Sequence, residues 1–282
     1  MTESQSEPVW TLERVAAERG DVAALAGLHT ALRQATEDAV ERQGPLRYDG
    51  APAVHWSQGR SLLDACHPED VVPALRSVVT AAADAMAAFA PDTLLALGGI
   101  GRRLAAPNFD WEDRVRRRLE PVADDVVPDA ALFRFLFLRA QVALARTLVR
   151  SVGPPHPDRW LPARCPFCGI PAAAEIGVSG SSRLRVCVGC TAQWRTADRS
   201  CGGCGADGHA EDQVYAAKEI GPVTLEACGG CDTVVKVFPS DAVVGGDVLP
   251  LEILTVPLDM ATMVEAGRTR HESALATLFP PA

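Results

Sequence analysis

Catalytic signatures are missing from this chain of 282 residues. It holds no Gly-x-Ser-x-Gly elbow, no His-Glu-x-x-His pattern and no carboxylate pair with a reason to be catalytic. Gly98-Gly99-Ile100-Gly101 is rich in glycine but lies in a helical stretch, without the preceding strand or the Lys-Ser/Thr of a phosphate loop. A conventional enzyme is not expected. Uncharged apolar runs of about 18 residues are missing too, and the best candidate, Val71 to Ala90, is interrupted by Arg76 and Asp84. The opening MTESQSEPVW has neither a basic nor an apolar segment, so no secretory signal is expected. These absences point to a cytoplasmic protein without membrane insertion.

Positive charge is also scarce. The formal net charge is −9, and arginine far outnumbers lysine. Between Cys165 and Phe238 stand six basic residues (Arg183, Arg185, Arg195, Arg199, Lys218, Lys236) against eight acidic ones. Binding nucleic acid needs a cationic footprint on the phosphates, so this balance argues against a nucleic-acid partner.

Cysteine is nearly absent from the first 164 residues, where Cys66 stands alone and reads as a small buried residue. Eight more then crowd into 67 residues as four Cys-x-x-Cys pairs: Cys165/Cys168, Cys187/Cys190, Cys201/Cys204 and Cys228/Cys231. Each such turn points two thiolates at one place, and two turns facing each other make a closed cage for zinc or iron. In a reducing compartment this is a commoner use of paired cysteines than a structural disulfide. The pattern predicts two metal ions per chain. His209, five residues after Cys204, is a minor candidate ligand.

The region repeats itself. Each unit opens Cys-x-x-Cys-Gly (Gly169, Gly205), where the glycine supplies a positive φ that closes the knuckle. A hairpin follows in each, turning near Ser179–Ser182 and near Gly221-Pro222, then a second knuckle and a closing strand. The second knuckles are followed by Thr191 and Asp232 instead, so half of that signature is present. Pairing within units needs no chain crossing and is favoured, with interleaved pairing left open. A closed cage of this kind usually replaces a hydrophobic core that so short a unit cannot build.

The fold expected is α+β: an N-terminal α-helical domain followed by two tandem rubredoxin-like or zinc-ribbon four-cysteine units. The boundaries read as a helical domain over 1–152, a proline-rich linker over 153–164, ribbons over 165–200 and 201–240, and a partly helical tail over 241–282. Helices are expected over Asp21–Gln43, Glu69–Ala90, Thr93–Ala106 and Ala130–Val152. The last is the most apolar and the natural centre of a bundle. Trp160, just past the Gly153–Pro157 run of that linker, is placed to pack between the domains.

The cysteine region resembles the FdhE family, accessory proteins of formate dehydrogenase maturation. The likeness rests on Cys165-Pro-Phe-Cys168-Gly169, Leu184-Arg-Val-Cys187-Val-Gly-Cys190, Gln193-Trp194-Arg195, Cys201-Gly-Gly-Cys204-Gly205, Tyr215 and Leu225-Glu226-Ala-Cys228-Gly-Gly-Cys231, and covers about residues 160 to 240. It implies a cytoplasmic, non-enzymatic factor that contacts the catalytic subunit of formate dehydrogenase. It also implies rubredoxin-like sites with iron as the metal. A ribbon-type nucleic-acid or transcription-complex module and a rubredoxin-like electron carrier are the alternatives. Trp194 and Phe238 are expected to cover their cages. Phe167, inside a knuckle, is expected to point outward and to form a docking surface with the cleft beside Ala130–Val152.

Overall fold

The computed structural model describes residues 10–117, 120, 127–153, 155, 160, 164–172, 174–177, 183–195, 201, 204, 213–216, 223–231, 233–243, 246–268 and 270. Most of the 153–164 linker, Gly205, His209, Asp232, the two expected hairpin turns and residues 271–282 lie outside the described residues.

Among the described residues eight α-helices come first: α1 (Leu12–Glu18), α2 (Ala23–Glu41), α3 (Pro52–Ser57), α4 (Leu62–Ala65), α5 (Pro68–Phe89), α6 (Leu94–Ala105), α7 (Trp111–Arg116) and α8 (Ala130–Val152). Their starts follow capping chemistry. The Thr11 hydroxyl accepts from the Arg14 N–H, and the Asp129 carboxylate accepts from Leu132 N–H at 3.3 Å. Helix α5 opens on Pro68 with Glu69 and Asp70 in its positive first turn. It runs on through Pro73 despite the hydrogen bond that residue cannot donate. By length and hydropathy α5 is also the one helix among the described residues long and apolar enough to cross a membrane. Its face of Val71, Leu75, Val78, Val79, Ala82 and Met86 is buried against α2 and α8, as in the core helix of a bundle. Helix α8 is the axis: buried residues run around it, including Arg139, Gln141 and Arg146 among the apolar ones.

Among the described residues six short strands follow: β1 (Ala174–Gly177), β2 (Arg183–Val186), β3 (Gln193–Trp194), β4 (Gln213–Ala216), β5 (Thr224–Ala227) and β6 (Val234–Pro239). Each cysteine unit is a three-stranded antiparallel meander, β1-β2-β3 and β4-β5-β6. The two meanders are the expected tandem four-cysteine units, and they share one sheet. Parallel pairing of β1 with β6, Ala174 opposite Lys236 and Ile176 opposite Phe238, fuses them into one sheet of order β3-β2-β1-β6-β5-β4. Helices α9 (Leu249–Leu254) and α10 (Val256–Ala266) pack beside it.

Apolar packing divides differently from the chain. One core joins α2, α5 and α8 to Trp160, Phe167, Trp194 and all four cysteines of the first unit. A second joins α1 and the start of α2 to the sheet's Ile176, Leu225 and Phe238 and to α9. The sheet seam carries charge inside this second core. Lys236 Nζ lies 3.1 Å from Glu252 and 2.7 Å from Asp259, while Arg270 meets Glu252 at 2.8 Å. Two cations and two carboxylates thus pin the C-terminal helices to β6.

Candidate metal centres

Three of the four knuckles share one backbone bond, from the first cysteine's N–H to the carbonyl five residues on. In the first, Cys165 N–H donates to Ile170 O at 2.8 Å and Gly169 N–H to Cys165 O at 2.9 Å. In the second, Cys187 N–H donates to Ala192 O at 2.9 Å and Thr191 N–H to Cys187 O at 3.0 Å. Cys228 N–H donates to Thr233 O at 3.1 Å in the fourth. Backbone N–H groups also face the sulfurs, Phe167 N–H to Cys165 Sγ at 3.4 Å and Gly230 N–H to Cys228 Sγ at 3.3 Å. Gly169 closes its turn at φ 75°, as its sequence position predicts. Thr191 closes the second at φ 63° without being glycine. A β-branched residue held there stores about 1–3 kcal/mol of strain, so the turn is imposed by the knuckle and not by local preference.

The eight cysteines gather as two groups, Cys165/Cys168/Cys187/Cys190 and Cys201/Cys204/Cys228/Cys231, each with its sulfurs within 4.8 Å of one another. The grouping is within units. In the first, Cys165 Sγ lies 3.4 Å from Cys190 Sγ, Cys168 Sγ 3.5 Å from Cys187 Sγ and 3.8 Å from Cys190 Sγ. In the second, Cys201–Cys231 and Cys204–Cys228 are each 3.8 Å apart. Four thiolates at about 2.3 Å from a tetrahedral ion stand about 3.8 Å from one another. Each group can therefore hold one metal ion.

Electrostatics ask for that ion. In the first group burial pushes the Cys165 and Cys190 thiols well above their ordinary range. Hydrogen bonds from Cys165, Cys168 and Cys190 hold Cys187 well below it. Several thiolates packed together away from water repel one another, and a bound cation offsets that repulsion. In the second group burial pushes Cys228 up to about 12. Burial also raises Cys231, but the Thr233 hydroxyl, 2.8 Å from its sulfur, and the Thr233 backbone outweigh it, leaving Cys231 at about 7.

The first knuckle is docked into the helical part. Leu62 and Leu63, the first N–H donors of α4 and unsatisfied within so short a helix, donate to Pro166 O and Phe167 O at 2.8 and 2.9 Å. Trp56 Nε1 also donates to Pro166 O at 3.1 Å. This overturns the expected docking surface. Phe167 is fully buried, edge-on to Trp56 with ring centroids 5.8 Å apart. The expected cleft beside α8 is filled: Arg146 Nε and Nη2 donate to Gly189 O at 3.1 and 2.8 Å, and a Cβ on Gly189 would overlap Val142. Trp194 and Phe238 are likewise buried. Large apolar side chains that are exposed include Phe89, Leu94 and Leu95 around the start of α6 and Met260, Met263 and Val264 on α10.

Three contributors escaped the sequence. Arg146 caps the second knuckle and also meets Glu37 at 2.9 Å. Arg268 donates to Cys228 O at 3.1 Å and to Cys231 O at 2.8 Å. Thr233 supports Cys231. An arginine amid the apolar face of α8 was the one visible signal. Cys66 is buried, its thiol 3.3 Å from Leu62 O, as a small core residue.

No family profile matches the chain. In sequence it is 31% identical over 121 residues to the Protein FdhE homolog of Edwardsiella ictaluri (strain 93-146). That match takes in 41% of this chain and spans only 38% of the relative's length. In structure it is similar to the crystal structure of the FdhE protein from Pseudomonas aeruginosa, with a TM-score of 0.62 over 96% of this chain and 93% of that one, at 20% identity. The chain thus has the FdhE fold over nearly its whole length, and its likeness in sequence falls on the same group of proteins.

Proposed function

We propose that this chain is a non-enzymatic accessory factor of formate dehydrogenase maturation, working in the cytoplasm and contacting the catalytic subunit of that enzyme. The observation that carries the reading is the FdhE fold bearing two four-cysteine groups of the spacing a metal ion requires. A non-enzymatic role is supported by the first group, where all four sulfurs face one another and no ligand position is left open to a substrate. The acidic balance of the cysteine units favours a protein partner over nucleic acid. Zinc and iron both suit four thiolates at this spacing.

The test is deletion of the gene, followed by formate oxidation in extracts and cofactor loading of the dehydrogenase. Loss of activity with the catalytic subunit still made, together with co-purification of that subunit on the tagged chain, supports the role. Unchanged activity and loading reject it.

A further inference from the structure

The two cysteine groups are built with opposite access to water. In the first, Cys165, Cys168 and Cys190 have 0% of their surface exposed and Cys187 has 2%. They sit under α4 and α8, sealed by the Leu62, Leu63 and Trp56 donors on one knuckle and by Arg146 on the other. In the second group Cys201 and Cys228 are buried, but Cys204 is exposed and Cys231 partly so.

We infer that the second group is the exchange-labile metal site of this protein, filled last and emptied first, while the first is locked. The inference rests on the reading that both groups hold metal. A thiolate cage loses its ion when one sulfur swings away or an incoming ligand reaches the metal. At Cys204 either move starts from a side chain that already meets solvent. At Cys165 through Cys190 either move requires opening the apolar core that holds Phe167 and α8, so it is gated by partial unfolding. The ligands this site admits are small chelating thiols and other soft donors. The same exposure makes Cys204 the first sulfur within reach of a thiol-directed electrophile.

The experiment uses the full chain loaded with Zn²⁺ alone. Mixed with excess 4-(2-pyridylazo)resorcinol, it should release one equivalent of metal at least about tenfold faster than the second, since only the second release waits on local opening. Cys204→Ser should remove the fast phase and keep the slow one. In parallel, brief iodoacetamide labelling of the loaded wild-type chain, mapped by mass spectrometry, should mark Cys204 and then Cys231, leaving Cys165, Cys168, Cys187 and Cys190 unmarked. This second measurement needs no variant to fold. Release of both equivalents in a single phase, or label on the first group before Cys204, overturns the inference while leaving two metal sites standing. A chain that takes up neither zinc nor iron overturns the metal reading and the inference with it.

Discussion

Lys236 Nζ and Glu252 Oε2 stand 3.1 Å apart with neither side chain exposed to solvent. Arg270 reaches the same carboxylate through both terminal nitrogens, at 2.8 and 2.9 Å. Removing the carboxylate leaves two buried cations to share the single carboxylate of Asp259. Glu252→Gln should therefore lower the stability of the sheet by about 3–5 kcal/mol, read by urea unfolding. A loss below 1 kcal/mol would mean that the pair behaves as if exposed.

The same carboxylate gives the acid response its sign. Burial raises the Glu252 pKa, but the Arg270 and Lys236 charges beside it prevail and hold it below its ordinary value of 4.5. A depressed carboxylate contributes stability that is fully present above its unfolded pKa and is lost as pH falls through the folded one. Wild type should hold its stability down to the ordinary carboxylate range and lose it only below that, whereas Glu252→Gln should lack this part of the acid transition.

Arg139 presents the opposite case. It is buried in the middle of α8, and its Nε has no hydrogen-bond partner among the described residues. Burial, with Arg146 and Arg33 nearby, lowers its pKa to about 9. A cation whose folded pKa is depressed costs stability at neutral pH, and the penalty fades as pH rises through that folded value. Arg139→Met should stabilise the helical part by about 1 kcal/mol or more at pH 7. Its advantage over wild type should shrink above the folded pKa of about 9. A destabilised variant at neutral pH would show that the guanidinium contributes more than its burial takes away.

Gly189 faces Val142 so closely that any side chain there must displace it. Gly189→Ala should cost about 1–3 kcal/mol by overpacking and loosen the second knuckle from α8. Thermal unfolding should show the loss, and the double variant Gly189→Ala with Val142→Ala should recover part of it. Failure of the double variant to recover would place the strain elsewhere.

Because the first cysteine group shares its core with α5 and α8, its loss should spread. Cys187→Ser should increase proteolysis in the helices as well as in the first unit, contrary to what a freestanding ribbon predicts. Cys228→Ser should leave α5 and α8 resistant. Equal protection of α8 in both variants would separate the group from the helical core.

The sequence-to-structure match was good wherever the signal was local. Periodicity placed α5 and α8 within a residue or two, and the Cys-x-x-Cys spacing, with chain continuity, pointed to the grouping the structure shows. Phe167 points inward, against the expectation from its knuckle, because its direction depends on α4, whose first donors capture the knuckle carbonyls, and nothing within Cys165–Gly169 reports a helix a hundred residues upstream. The β1–β6 pairing was invisible for a similar reason. Parallel pairing between distant strands leaves no turn motif to read. Thr191 shows that a glycine signature can be absent while the turn it marks is still made.

The seam also sets a timetable for assembly. As the chain leaves the ribosome, β1, β2 and β3 can pair at once, but the outer side of β1 stays bare until β6 emerges roughly sixty residues later, the kind of distant pairing that slows folding. During that interval the nascent protein presents an open strand edge, a template for pairing with other chains. Aggregation of ribosome-bound fragments should thus peak for truncations ending between β3 and β6 and fall once Val234–Pro239 is complete.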